Sequence, residues 1–210
     1  MLLTPKHASA TDVANALVDL VPAGIRIRSA RLACADDHVQ EKPAARRRNE
    51  YLTGRRLGRE LLQHAGSAEL SVGVGTRGMP TWPKGFTGSI SHTDDVCAVA
   101  VASSEVVRGV GVDIERIEDV VASLETLIRR PDEVHTAVPL AWYFSAKESV
   151  FKCQFPLTAE DAEFIDARII WGASGTFAVD VDDDRLALAR HVRGTARRVG
   201  PYVVSAGWLQ

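Results

Sequence analysis

The chain has 210 residues, 46% of them apolar and 25% charged, with a formal net charge of −2. That length allows one large domain or two small ones, and folding removes roughly 70% of the unfolded surface from water, so no disulfide or metal staple is needed and disorder over most of the chain is excluded. The charge balance predicts no global attraction to nucleic acid, and the longest purely apolar run, Val96 to Ala102, falls far short of the roughly 18 residues of a membrane span.

Met1 to His7 contain no apolar stretch of the kind a secretory signal needs. Three widely spaced cysteines, Cys34, Cys97 and Cys153, argue against a disulfide framework and for a reducing cytoplasm. No CxxC or HxxxH spacing points to zinc. Only five of the 25 basic residues are lysine, and two of these, Lys147 and Lys152, flank a glutamate.

In chain order, Thr11 to Leu20 reads as a helix with Thr11 as its cap and Pro22 ending it. Ile25 to Ala33 alternates like a strand. A long helix is expected from about Pro43 to Ala65, with Gly66 placed to end it. Leu57, Leu61 and Ala65 form its apolar stripe, widened by Tyr51, Leu52 and Leu62. Arg48, Arg55 and Arg59 fall on one side, and Gly54 and Gly58 allow a close approach. Gly73 to Gly88, rich in Gly and Pro, reads as a loop. Val96 to Ala102 and Val106 to Ile114 suggest an antiparallel hairpin joined by Ser103-Ser104-Glu105. Helices are expected around Val120 to Arg130 and Ser145 to Gln154. Strands are expected at Ile165 to Trp171, Thr176 to Val181, Arg185 to Arg190 and Tyr202 to Trp208. The mixed order without regular βαβ alternation gives an α+β fold.

Four constellations carry chemistry. In Val110-Gly111-Val112-Asp113-Ile114-Glu115, strand alternation turns the aliphatic residues to the core and the glycines, Asp113 and Glu115 to the other side. Two hard carboxylates beside glycines suit Mg²⁺ and phosphate oxygens, though two solvated charges at a strand end would look the same. In Ser145-Ala146-Lys147-Glu148-Ser149-Val150-Phe151-Lys152, Ser145 and Glu148 match a capping box, and Glu148 and Lys152 match a helical ion pair. The same spacing lets a carboxylate and an ammonium converge. Lys147, in the expected first turn, opposes the helix dipole unless an anion is held there. Thr87 to Asp94 contain Ser91, His92 and Asp94, but adjacent Ser-His does not make a hydrolytic triad, and a phosphate held in a turn fits better than hydrolysis; a capped turn with an exposed histidine fits as well. The arginines from Arg46 to Arg59 make either a solvated helix face or a contact for phosphate or an acidic protein. The later arginines, from Arg185 to Arg198, follow an acidic run and read as solvated positions.

Taken together and in order, Arg47-Arg48-Asn49-Glu50-Tyr51, Gly78-Met79-Pro80-Thr81-Trp82-Pro83, Gly88-Ser89-Ile90-Ser91-His92 and the pair Gly111 to Glu115 with Phe144 to Lys152 resemble the 4′-phosphopantetheinyl transferases. The resemblance is to the larger monomeric, Sfp/EntD-like type associated with siderophore and secondary-metabolite synthases. It covers about residues 46 to 156. It implies a pseudo-dimer of two similar α/β subdomains, 1–104 and 105–210, joined near Ser103 to Val107, with coenzyme A in the cleft between them.

The resemblance also implies roles. Asp113, Glu115 and Glu148 match the family's Mg²⁺-binding acids, and Lys147 and Lys152 its helix lysines. Lys152 is the better phosphate contact and, with Glu148, carries the catalysis. His92 matches the contact to the 3′-phosphate of coenzyme A, Arg48, Arg55 and Arg77 resemble the basic residues around that nucleotide, and Ser91 adds a phosphate hydrogen bond. The implied reaction moves the phosphopantetheine arm to a serine of an apo carrier protein, such as the carrier domains of polyketide and nonribosomal peptide synthases, and releases adenosine 3′,5′-bisphosphate. A non-catalytic coenzyme-binding module and another Mg²⁺-dependent phosphotransferase are the alternatives.

Overall fold

The structure is a computed structural model that describes residues 8–32, 43–133 and 137–210; Cys34 lies outside them. Helix α1 (Ala10–Leu20) is capped two residues earlier than Thr11, because Ser9 and Asp12 form a reciprocal capping box. Strand β1 (Arg26–Arg31) and helix α2 (Pro43–His64) follow. Gly66, at φ +79°, ends α2 as expected, and the Ser67 amide returns to the Leu62 carbonyl. Tyr51 and Leu52 do not extend the buried stripe of α2; both are exposed. The Gly/Pro-rich stretch holds a two-residue ladder, β2 (Gly73–Val74) with β3 (Pro80–Thr81), before β4 (Phe86–His92).

Strands β5 (Val96–Ser103) and β6 (Gly109–Arg116) do not form the expected hairpin. Strand β5 pairs with β1 and β4 in a three-stranded sheet, and β6 crosses to a second sheet, where it pairs with the last strand. The β5 run Val96 to Ala102 is buried on both faces, so both of its sides demand a cover, whereas a hairpin exposed on one face would alternate. After the short α3 (Glu125–Ile128) and the long α4 (Leu140–Thr158), strands β7 (Ala167–Trp171), β8 (Thr176–Val181), β9 (Arg193–Val199) and β10 (Tyr202–Leu209) complete a sheet of order β6-β10-β9-β8-β7. The expected strand over Arg185 to Arg190 is instead a 3₁₀ segment, Asp184–His191. Its start is capped by the Asp183 side chain. The strand over Arg193–Val199 was hidden by its arginines.

Helix α1 covers the near faces of both sheets: Val13, Leu17 and Leu20 pack with Ala98 and Ala100 of β5, Val112 and Ile114 of β6 and Val204 of β10. On the opposite face α2 covers the first sheet through Leu57, Leu61 and Leu62 against Cys97, Val99 and Val101. There α4 covers the second sheet through Tyr143, Val150 and Cys153. The α+β reading stands. Among the described residues no helix is long and apolar enough to cross a membrane.

The two sheets meet at β4 and β6 without a backbone ladder. The Val112 amide donates to Ser89 Oγ at 3.0 Å, and the Ile114 amide donates to Ser91 Oγ at 3.2 Å. Side-chain hydroxyls thus stand where strand carbonyls would. The α2 glycines serve close approach as expected: a Cβ on Gly54 would lie 2.9 Å from Ile90, and one on Gly58 3.1 Å from Val72.

Candidate active site

Asp113 is fully buried on β6, on the side turned to α4. The glycines around it make room for the helix, not for a ligand as the sequence suggested. A Cβ on Gly111 would sit 1.9 Å from the Ser149 carbonyl oxygen, and one on Gly109 2.7 Å from that of Cys153. This approach brings Lys152 Nζ within 2.6 Å of Asp113 Oδ1, 3.2 Å of Ser91 Oγ and 3.6 Å of Glu148 Oε2.

Three carboxylates, Asp113, Glu115 and Glu148, thereby share one neighbouring ammonium. Burial, reinforced by Asp113 and Glu148, pushes the Glu115 carboxyl up to about 8. Burial, reinforced by Asp113, also raises Glu148. Burial works against the charge on Lys152, but the attraction of Asp113, Glu148 and Glu115 outweighs it and holds its pKa above the ordinary lysine value. Asp113 Oδ2 is buried with no hydrogen-bond partner among the described residues. An orphaned carboxylate oxygen in a cluster short of positive charge fits a hard divalent cation. Among the described residues no group of three His, Cys, Asp or Glu side chains is placed to hold a metal ion by itself. Mg²⁺ does not require one, because it is commonly held by one or two carboxylates with substrate phosphates and water.

The Glu148–Lys152 helix is longer than the sequence suggested. It starts at Leu140 after Pro139, so Ser145 is not its cap; Ser145 is buried, and its Oγ lies 2.9 Å from Ser205 Oγ. Lys147 therefore sits in the second turn, with no first-turn conflict with the dipole to explain. Its ammonium is 2% exposed and bound to Glu133 and the Ile128 carbonyl, so it does not present itself to a coenzyme phosphate. Ser91 is corrected too. Its single proton goes to Asp113 Oδ1 at 3.0 Å, while its oxygen accepts from Ile114 and Lys152, which leaves no donor for a phosphate.

His92 ends β4, partly exposed, with Nε2 3.8 Å from Glu50 Oε2. Burial, partly offset by Glu50, lowers its pKa from the ordinary histidine value. Glu50, which the sequence did not single out, also accepts from Arg46 Nε at 2.9 Å, and Arg46 pairs in turn with Asp94. The turn after His92 is fastened by Asp95, another residue that sequence reasoning missed. The Tyr202 hydroxyl donates to its Oδ2 at 2.5 Å, and Arg116 lies 3.4 Å away. Arg48 is exposed on α2. Arg55 is tied down, stacked 4.5 Å over Tyr51 and donating to the Gly73 carbonyl at 3.1 Å. Arg77, at φ 57°, reaches across to pair with Asp161 beyond the end of α4. Arg77 and Asp161 stand on the wall of a cavity of about 470 Å³ that also takes in Glu148, Phe151, Phe164 and Arg185.

A family model described as the 4′-phosphopantetheinyl transferase N-terminal domain matches residues 35–102, and one described as the 4′-phosphopantetheinyl transferase superfamily matches residues 109–206. The chain belongs to the 4′-phosphopantetheinyl transferase superfamily. The two matches take in every residue of the Asp113–Glu148–Lys152 cluster as well as His92.

Among curated members of the superfamily, the chain is 32% identical over 142 residues to 4′-phosphopantetheinyl transferase Npt of Nocardia iowensis, which covers 64% of each chain. It is 32% identical over 143 residues to PptT of Mycobacterium tuberculosis, covering 64% of this chain and 63% of that one. It is also 32% identical over 143 residues to Svp of Streptomyces mobaraensis, covering 63% and 58%. The chain thus spans less than two thirds of the length of these relatives. The crystal structure of Thermotoga maritima holo-[acyl-carrier-protein] synthase overlaps half of the chain at 18% identity with a TM-score of 0.42.

Proposed function

We propose that the protein transfers the 4′-phosphopantetheine arm of coenzyme A to a serine of an apo carrier protein and releases adenosine 3′,5′-bisphosphate. The observation that carries this reading is the convergence of Asp113, Glu148 and Lys152 from a strand and a helix, with one buried carboxylate oxygen unpartnered among the described residues, in a chain of this superfamily. Asp113, Glu115 and Glu148 would hold Mg²⁺ with the coenzyme's pyrophosphate. A cation so held supplies charge neutralisation to the phosphates.

The chain's own groups supply the rest. Lys152 places a fixed positive charge where charge develops on the transferred phosphoryl group. Glu148, its pKa raised by burial, takes the serine proton directly or through water as the serine oxygen bonds to phosphorus and the pyrophosphate P–O bond breaks. His92 and Arg48 face the 3′-phosphate, with Arg55 and Arg77 beside the nucleotide. The cavity next to Glu148, with Phe151 and Phe164 on its wall, takes the arm. The working unit is a monomer of two subdomains, 1–104 and 105–210; the crossing of the chain from one sheet to the other between Ser103 and Gly109 supports this division. Its partners are carrier domains of polyketide or nonribosomal peptide synthases in siderophore or antibiotic synthesis. Its compartment is the cytoplasm, in keeping with the free thiols of Cys97 and Cys153.

The deciding experiment is intact-mass measurement of an apo carrier protein incubated with the full chain, coenzyme A and Mg²⁺. Addition of the arm is expected; an unchanged carrier mass with every carrier class tried overturns the reading.

A further inference from the structure

Lys147 adjoins Glu148 in sequence but lies about 100° around the helix from it, and it is bonded to a different part of the molecule. Its ammonium donates to Glu133 Oε2 at 2.6 Å and to the Ile128 carbonyl, at the end of α3, at 2.7 Å. Glu133 is equally buried. Its Oε2 also accepts from the Arg130 amide at 2.9 Å, and its Oε1 accepts from the Ile169 amide of β7 at 2.6 Å. One carboxylate thus ties together α4, the turn after α3 and the outermost strand of the second sheet.

Stability alone does not call for this arrangement. A buried ion pair gains little over an apolar pair of the same volume, because both charges must be stripped of water. What it adds is direction. On the other side of α4, β6 offers bare glycine backbone to Ser149 and Cys153, and the side-chain ties there are the site's own Asp113–Lys152 pair and the Ser145–Ser205 contact. A rotation of about 20° moves a side-chain tip by about 2 Å, and misplacement of about 1 Å can cost on the order of a hundredfold in rate.

We propose that Glu133 is a positioning residue of the transferase site: through Lys147 it sets the rotation of α4 and keeps Glu148 and Lys152 aimed at Asp113. This rests on the transferase reading given above.

The test compares the parent chain with the apolar double variant Glu133→Leu/Lys147→Met, and uses Mn²⁺ binding as a readout separate from turnover. The double variant is expected to melt close to the parent, to lose about tenfold or more in kcat with KM for coenzyme A nearly unchanged, and to bind Mn²⁺ several-fold more weakly. Parent-like kcat and Mn²⁺ affinity in the double variant overturn the proposal while leaving the transferase reading intact. Should the double variant not fold, Glu133→Asp, which keeps the charge and shortens the reach, decides by the same two readouts. A parent chain that neither transfers the arm nor binds Mn²⁺ overturns both readings together.

Discussion

Asp113 and Lys152 are 39 residues apart in the chain and 2.6 Å apart in the fold. The contact exists because Gly109 and Gly111 let the backbone of α4 lie directly on β6. Gly111→Ala forces a Cβ into the Ser149 carbonyl. The expected cost is about 1–3 kcal/mol or more, read as a lower melting temperature, with transfer lost more steeply than stability. A variant with parent-like melting and turnover would show that the close approach is not required.

Glu148→Gln is isosteric and removes one of three clustered carboxylates. The fold should survive, since Glu148 is partly exposed and its ion-pair partner is Lys152, one turn away on the same helix. Turnover should fall by at least about a hundredfold, the scale of a lost general base. Carrier mass against time, beside a melting curve, checks this, and normal turnover would remove Glu148 from the mechanism.

Removal of divalent metal should abolish transfer, and Mg²⁺ or Mn²⁺ should restore it. Asp113→Asn should raise the Mg²⁺ concentration needed for half-maximal rate, because it changes the unpartnered buried oxygen. Full activity in excess EDTA would refute the metal assignment.

His92→Ala should raise KM for coenzyme A by about tenfold or more, the scale of a hydrogen bond to a charged group. It should change KM for dephospho-coenzyme A little. Equal losses with both would show that His92 does not hold the 3′-phosphate.

Asp95 gives a pH prediction. Burial opposes its charge, but the Tyr202 and Thr93 hydrogen bonds and Arg116 prevail and hold it below the usual carboxylate value of 3.8. Its stabilising contribution is therefore complete above the unfolded value and fades as pH falls through the lower folded one. Asp95→Asn should lower the melting temperature at pH 7, with a difference that shrinks toward pH 2–3, by an amount that thermal melts across pH would read. A gap that widens on acidification would contradict the assignment.

The helices α1, α2 and α4 and the apolar strands were legible because their patterns repeat locally. Asp113 with Glu115, and Glu148 with Lys152, were legible as pairs at strand and helix spacing; that the two pairs belong to one site was implied only by the family resemblance. What escaped was set by tertiary contact. Strand β5 is apolar on both faces and looked like half a hairpin, yet its partners are β1 and β4. Lys147 looked like a phosphate ligand because Glu133, its partner, lies 14 residues upstream at the end of a short 3₁₀ turn. Ser91 was read beside His92, although its hydroxyl turns sideways to β6.

The serine stitches between β4 and β6 also act as an alignment gauge. Side chains alternate along a strand, so a slip of one residue in β4 would present Ile90 where a hydroxyl is needed and strand the amides of Val112 and Ile114. Only the correct setting satisfies both amides, so the same two hydroxyls that join the two sheets also fix where β4 sits along β6.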